Sequence, residues 1–468
     1  MMNRTSGNGE FHFVMLIWTI FIAVLAGLVG GMAALNGFIV LAGVIALVLL
    51  GLVVVYPHLA LYLIPISALF SPVLPRVGKL GALEYFLILS GIAVFIRSLV
   101  LKKKLKFDGL LAIMIVLLSV FVLSLLAGRG DQEFSRVYAW LGTVGYYFVI
   151  INAVSDSHYI GRILLVLALL TTGLLLLDSF IFSGMPLPET EYDWARYRSL
   201  GTSLAASSDQ LAGQANFAMS MATIFFPVFF VFGVFSKQIR IRVLCFAGLA
   251  GMLLLALMVQ TRAFFLQAGI AIVATMVPVL KRRTIRRLVV LMGSAFVLYF
   301  AIEQLFPGAG VRIANRFTEA PLLGDGRFDI WVGMIRVGMT SPLIGHGAYA
   351  ADTALQRFGI LTRHGLFPQI FFEYGLIGLV PTLGILGWWI ISSIRTLHEV
   401  VSAREDPRVA LALWGIVVGL FANSIVNLHL IFTPNYSVLA FSVAALQQIY
   451  LRDSLHAHLP HRVENHSL

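Results

Sequence analysis

The residues best suited to chemistry gather in one stretch, from about Phe306 to Pro368, which holds Arg312, Arg316, Arg327, Arg336, Arg357, Arg363, His346 and His364. A guanidinium is planar, forked and permanently charged, so it grips phosphate oxygens two at a time. An imidazole titrates near neutral pH and accepts a proton from an attacking hydroxyl. Together they suit a transfer in which an anionic phosphate group leaves while an acceptor loses a proton. No Asp-x-Asp pair, histidine cluster or glutamate-rich segment goes with them. Charge neutralisation is therefore expected from arginines, with no metal and no cofactor. The single cysteine, Cys245, lies inside an apolar run and reads as a packing residue, with no disulfide framework and no thiolate site.

The elements that must position these residues are membrane helices. Of 468 residues, 59% are hydrophobic and 12% charged, and the mean hydropathy is +0.92. Soluble domains average about 45–50% apolar and about 25% charged residues. A soluble enzyme, a nucleic-acid-binding domain and a disulfide-stapled module are all excluded. Apolar runs fall near residues 13–33, 36–55, 59–70, 83–100, 109–127, 137–154, 161–183, 210–235, 243–259, 263–280, 288–305, 369–394, 408–428 and 435–450. These fourteen runs, the third of them short, predict an all-α polytopic bundle of about 12–14 transmembrane helices. They lack the in-out alternation of a β-barrel strand. Arg4 precedes two full-length runs, which argues against a cleavable leader.

Basic clusters occupy alternate connections: Lys102–Lys104 with Lys106; Lys237, Arg240 and Arg242; Lys281–Arg283 with Arg286 and Arg287; and Arg395, Arg404 and Arg408. The positive-inside rule places them, and both termini, in the cytoplasm. With Arg4, Arg97, Arg162, Arg452 and Arg462, that side carries 20 basic against 8 acidic residues, a balance of +12. The other 13 basic and 14 acidic residues balance to −1, so the formal charge of +11 is a matter of topology. Arginine on the translocated side is selected against and implies a task or a partner. The chain then divides into N-terminal spans (1–183), central spans with a shorter outer loop (184–305), a large outer loop (306–368), and C-terminal spans with a cytoplasmic tail (369–468). A loop as long as the third region is expected to be structured and functional. Phe328, Trp331, Ile335 and Met339 follow helical spacing, predicting a helix over Gly326–Met339 that lies on the outer membrane surface as a lid or pocket wall.

The loop is also punctuated in a set order: Gly326-Arg327, Trp331, Ser341-Pro342-Leu343-Ile344-Gly345-His346-Gly347, Arg363-His364-Gly365, and Glu373-Tyr374-Gly375-Leu376-Ile377-Gly378. This pattern resembles the signature of the O-antigen ligase and Wzy-type polysaccharide polymerase superfamily, in which it spans the large periplasmic loop and the helix after it. Gln260-Thr261-Arg262 is similar to that family's S/T-R motif between two spans. Arg198-Ser199-Leu200-Gly201, with Gln214-Ala215-Asn216 after it, is similar to its R-x-x-G and P-N stretch, although Gln-Ala-Asn replaces Pro-Asn and the spacing is longer. The family commonly has His-Asn where this chain has His364-Gly365, which leaves the histidine without a neighbouring Asn amide.

The resemblance implies a fold like that of the GT-C-type lipid-linked glycosyltransferases. It implies transfer of a glycan from an undecaprenyl (polyprenyl) diphosphate carrier to an acceptor hydroxyl on the periplasmic face of a bacterial inner membrane. His364 would be the general base, and Arg198, Arg262 and Arg327 would bind the diphosphate. Arg316, Arg363, Glu373 and His346 would support them, with His346 the competing base. Glu373 lies within a span and has four readings open: a partner for Arg363, a partner for Arg327, an orienting group for His364, or a carboxylate in a wet funnel. Asn423 and Asn427, one turn apart, read first as interhelical hydrogen-bonding groups and second as sugar ligands. Partners would be the lipid-linked glycan, a glycan or lipid A core acceptor, and membrane lipid, with no nucleic acid. An O-antigen ligase acting on lipid A core is the leading expectation and a polymerase the alternative. A transporter or flippase, or a scaffold for envelope assembly, competes from outside enzymology; transporters place charge at the bilayer midplane, whereas here it collects in an outer loop.

Overall fold

The computed structural model describes residues 51–52, 56, 59, 61–62, 82–100, 102, 104–127, 131–154, 157–177, 220–259, 262–279, 304, 327–347, 365–402, 406–426, 429–432 and 434–458. Within them the chain is helical, and no strand occurs. The helices are α1 (Ala82–Val100), α2 (Gly109–Leu126), α3 (Asp131–Ala153), α4 (Ile160–Leu177), α5 (Phe226–Phe235), α6 (Ile239–Val259), α7 (Arg262–Met276), α8 (Arg327–Gly338), α9 (Leu366–Ser402), α10 (Arg408–Val426), α11 (His429–Phe432) and α12 (Pro434–His458). The expected runs at 13–33, 36–55, 59–70 and 288–305 lie almost entirely outside the described residues. The other ten coincide with helices where they are described, residues 178–183 and 210–219 among them lying outside the described residues.

Among the described residues, four helical segments are long and apolar enough to cross a membrane: Gly109–Leu126, Ile239–Ala256, Leu366–Val401 and Arg408–Ile425. Their burial pattern is that of helices facing lipid. On α2, Met114 and Leu117 are wholly buried, while Val116, Leu123 and Leu126 are exposed. A helix that is apolar on its buried and its exposed faces alike has hydrocarbon as its surroundings. This is a helical membrane protein.

The centre is built from α3 and α12, which pack along each other more extensively than any other described pair. Shielded by their neighbours, they tolerate polar side chains that a lipid-facing helix would not. Trp140 of α3 meets Phe441 of α12 edge to face at 5.3 Å, and Trp389 of α9 lies against the same ring at 5.6 Å. Several buried polar side chains of this centre are paired internally, as hydrocarbon favours. The Trp389 indole donates to Gln447 Oε1 at 2.6 Å, and the Gln447 amide bonds Ser393 Oγ. Thr143, Thr275, Thr382, Ser393, Thr396, Ser424 and Ser442 return their hydroxyls to the carbonyl one turn back. Asn423 donates to the Tyr436 hydroxyl at 2.8 Å, joining α10 to α12, which is the first of the two roles expected for it. Cys245 is a fully buried packing residue.

Candidate functional site

The signature segments of the loop meet at a break in α9. That helix runs 37 residues, but Gly375 interrupts it with φ 60° and ψ −153°. A break inside a membrane helix frees carbonyls before it and N–H groups after it, and these need partners. The Ser341–Gly347 segment supplies them. Leu376 N donates to Pro342 O at 2.8 Å and Ile377 N to Leu343 O at 3.1 Å, while the carbonyl of Phe372 accepts from His346 N at 3.0 Å. The loop closes on itself through Gly345 N to Ser341 O at 2.9 Å and Ser341 Oγ to Gly345 O at 3.0 Å.

This backbone-to-backbone seam accounts for the glycines of the pattern. Gly345 and Gly375 both have left-handed φ angles. A Cβ on Gly345 would stand 2.4 Å from the Glu373 carbonyl group, and one on Gly375 would stand 2.4 Å from that of Leu343. Both positions therefore exclude a side chain on two counts, conformation and space.

The helix expected over Gly326–Met339 is present as α8, Arg327–Gly338. It packs on α9 through Met334 and Val337, which enclose Phe372 with Ile330 and Trp331 beside them. Gly338 allows the approach, since a Cβ there would lie 2.9 Å from the Phe371 ring. The buried stripe is thus Met334 and Val337 with the half-buried Trp331 at its edge, while Phe328, Ile335 and Met339, expected to share a face with Trp331, are exposed.

Glu373 is fully buried two residues before the break, and its carboxylate is bonded by Arg136 of α3. Arg136 uses both terminal nitrogens: Nη1 bonds Oε2, and Nη2 donates to Oε1 at 2.9 Å. Nη1 also donates to the Tyr374 hydroxyl at 2.9 Å, and Gln369 Nε2 donates to Glu373 Oε1 at 2.8 Å. The guanidinium carbon lies 5.7 Å from the Tyr374 ring centre, and that ring packs on Phe121 at 4.8 Å. Arg136, Gln369 and Tyr374 were not anticipated as site residues. Arg136 is one of the thirteen basic residues left off the cytoplasmic side, and it stands immediately before the apolar run at 137–154.

His346 is held by its neighbours. Its Nε2 is 3.0 Å from Val337 O and 3.0 Å from Thr340 Oγ1, and its ring lies 5.3 Å from that of Phe372. A carbonyl can only accept, so Nε2 carries the proton in this arrangement.

Arg198, Arg316, Arg363 and His364 lie outside the described residues. Backbone positions nevertheless bring the surroundings of several candidates to one place. Gly365, the residue after His364, sits at φ 83° just before α9, and a Cβ on it would be 2.7 Å from Trp331 Nε1 and 3.0 Å from Ile425 O of α10. Arg327 is the first residue of α8, one turn before Trp331. Arg262 is the first residue of α7, which runs antiparallel to α10: Gln267 bonds Gly419 O and Trp414 bonds Ala274 O. Carried five residues further, that register sets Arg262 level with Ser424 and Ile425. The first turns of α7 and α8 and the start of α9 thus converge near the end of α10. Helix starts present unpaired N–H groups and a positive dipole end, which favour anions.

Among the described residues no cluster of metal-ligating side chains occurs. No protein-family model matches the chain, and no curated protein sequence matches it.

Proposed function

We propose that this protein is a membrane-embedded glycosyltransferase of the O-antigen ligase type, moving a glycan from polyprenyl diphosphate to an acceptor hydroxyl on the outer face of a bacterial inner membrane, with lipid A core as acceptor. The observation that carries the reading is the seam itself. The S-P-x-x-G-x-G and E-x-G segments, separated in sequence, are interlocked through glycines that admit no side chain, and the candidate base His364 directly precedes Gly365, at the start of the same helix against Trp331 and Ile425. Two of the three proposed diphosphate ligands, Arg262 and Arg327, stand at the starts of helices whose first turns lie toward Gly365 and the end of α10.

In the proposed reaction the acceptor oxygen attacks the anomeric carbon, and the carbon–oxygen bond to the diphosphate breaks with its electron pair leaving on the carrier lipid. His364 takes the acceptor proton. Arg198, Arg262 and Arg327 hold the departing diphosphate through forked hydrogen bonds, so the charge that develops meets donors already in place. Arg316 and Arg363 add positive field. Transfer needs no metal in this scheme and should survive EDTA; complete loss restored by added metal would overturn that part.

The test is glycan transfer in membranes with matched expression of His364→Ala and Arg327→Ala. Loss of about a hundredfold or more is expected for the general base, and normal output from both variants would sink the assignment. The same experiment separates the alternative branch. Lipid-linked polymer that accumulates unattached marks a ligase, whereas acceptors capped with a single repeat unit mark a polymerase.

A further inference from the structure

Past its break, α9 turns an apolar face outward. Leu376, Ile377, Val380, Leu383, Ile391 and Ile394 are exposed, and no charged residue stands between the first and the last of them. The residue that follows, Arg395, is exposed as well. From Leu376 to Ile394 the helix rises about 27 Å, close to the roughly 30 Å of a bilayer's hydrocarbon core. The stripe therefore measures one bilayer, with Arg395 at one boundary and the seam at the other.

The seam brings the loop to that second boundary. Leu376 N and Ile377 N donate to the carbonyls of Pro342 and Leu343, so Leu343, itself 63% exposed, stands beside the first turn of the stripe. The helix that leads into this loop is α8, and its side chains fall into three sectors at about 100° per residue. Met334 and Val337 pack on Phe372. Phe328, Val332, Ile335 and Met339 lie within about 60° of one another on roughly the opposite side, and all four are exposed. Asp329 and Arg336, also exposed, share the flank between those two sectors.

A face built only of large apolar side chains is uncommon on a surface that meets water. A helix at a membrane interface has such a face, sunk at the boundary of headgroups and acyl chains, with its charges turned to water. We propose that α8 is an interfacial helix: Phe328, Val332, Ile335 and Met339, together with Leu343 of the seam, enter the acyl chains of the leaflet at the seam end of α9, while Asp329 and Arg336 stay in water. The occupant of the face is lipid rather than a second copy of the chain, because the segment that leaves α8 is hydrogen-bonded to the end of a stripe one bilayer long. The seam is then held from two sides, by α9 in the protein and by lipid. The proposal does not depend on the transfer reaction.

The experiment places single nitroxide labels on the full chain in phosphatidylethanolamine and phosphatidylglycerol nanodiscs, through Phe328→Cys, Val332→Cys, Ile335→Cys, Met339→Cys, Asp329→Cys and Arg336→Cys. Cys245 is fully buried and stays unlabelled. Collision with oxygen, which concentrates in lipid, is compared with collision with a water-soluble nickel chelate. The four apolar positions should favour oxygen several-fold, and positions 329 and 336 should favour nickel. Nickel reaching all six alike would put the face in water and overturn the proposal. Low collision with both reagents at the four positions would mean that protein covers the face, which overturns it equally. Should the labelled variants fold poorly, the wild-type chain decides through a phospholipid with a photoreactive group in its acyl chain: adducts on residues 328–339 uphold the proposal, and adducts confined to the α9 stripe reject it.

Discussion

Arg136 and Glu373 are 237 residues apart in sequence and form a two-pronged ion pair with the carboxylate wholly buried. The pair ties α3, at the centre of the bundle, to the turn of α9 just before its break. Removing one partner leaves an uncompensated buried charge, which costs about 3–5 kcal/mol, whereas replacing both by apolar groups is often close to neutral. Arg136→Leu and Glu373→Leu should each lower thermal stability in detergent sharply. The double variant should be more stable than either, and a double variant as unstable as the sum of the singles would show that the two do not interact.

Gly375→Ala and Gly345→Ala should destabilise strongly, because each Cβ would meet a backbone carbonyl group at 2.4 Å in a left-handed conformation that itself costs about 1–2 kcal/mol. Gly387 lies on the same helix with nothing within 4 Å of an added Cβ. Gly387→Ala should therefore be neutral or stabilising by about 0.5–1 kcal/mol. Midpoints of thermal unfolding for the three variants check the contrast, and equal behaviour of Gly375→Ala and Gly387→Ala would contradict the seam.

His346 and His364 should separate in kind. His346 is bonded at Nε2 to Val337 O and lies near Thr340 Oγ1, so His346→Ala should lower stability by about 1–2 kcal/mol through lost hydrogen bonds and retain transfer. His364→Ala should abolish transfer with little change in the unfolding midpoint. Transfer rates and midpoints measured on the same preparations decide, and the reverse pattern would make His346 the base.

The apolar runs were legible because each described helix needs only continuous hydrophobicity to reveal itself, and 109–127 and 408–428 match α2 and α10 within a residue or two. The order of motif segments was legible as well, since glycine marks positions that backbone geometry forces. The face of α8 was read less well. Helical spacing groups Phe328, Trp331, Ile335 and Met339, yet the helix buries Met334 and Val337, half-buries Trp331 and exposes the other three. Apolar side chains stand on both faces of α8, so periodicity cannot tell the packed stripe from the exposed one. Neither could local spacing find Arg136 as the partner of Glu373, because only the packing of α3 on α9 brings them together.

Gly365 offers the sharpest test of how His364 is placed. The resemblance puts asparagine at this position, and asparagine accepts a left-handed φ better than most residues, so conformation alone does not exclude it. Space does: any Cβ would stand 2.7 Å from Trp331 Nε1 and 3.0 Å from Ile425 O. The indole nitrogen is buried without a hydrogen-bond partner among the described residues, so displacing it breaks no described bond, but the side chain is wedged between α8 and α9. Gly365→Ala and Gly365→Asn should therefore shift Trp331 or the start of α9, and with it the adjacent His364. Transfer should fall by much more than the unfolding midpoint accounts for. Trp331→Leu in the Gly365→Asn background removes the indole that the new Cβ meets. On the proposed reaction it should recover part of the lost transfer, because crowding against Trp331, rather than the loss of glycine itself, is what would disturb the start of α9. Equal transfer by Gly365→Asn with and without Trp331→Leu would show that Trp331 does not set the position of His364.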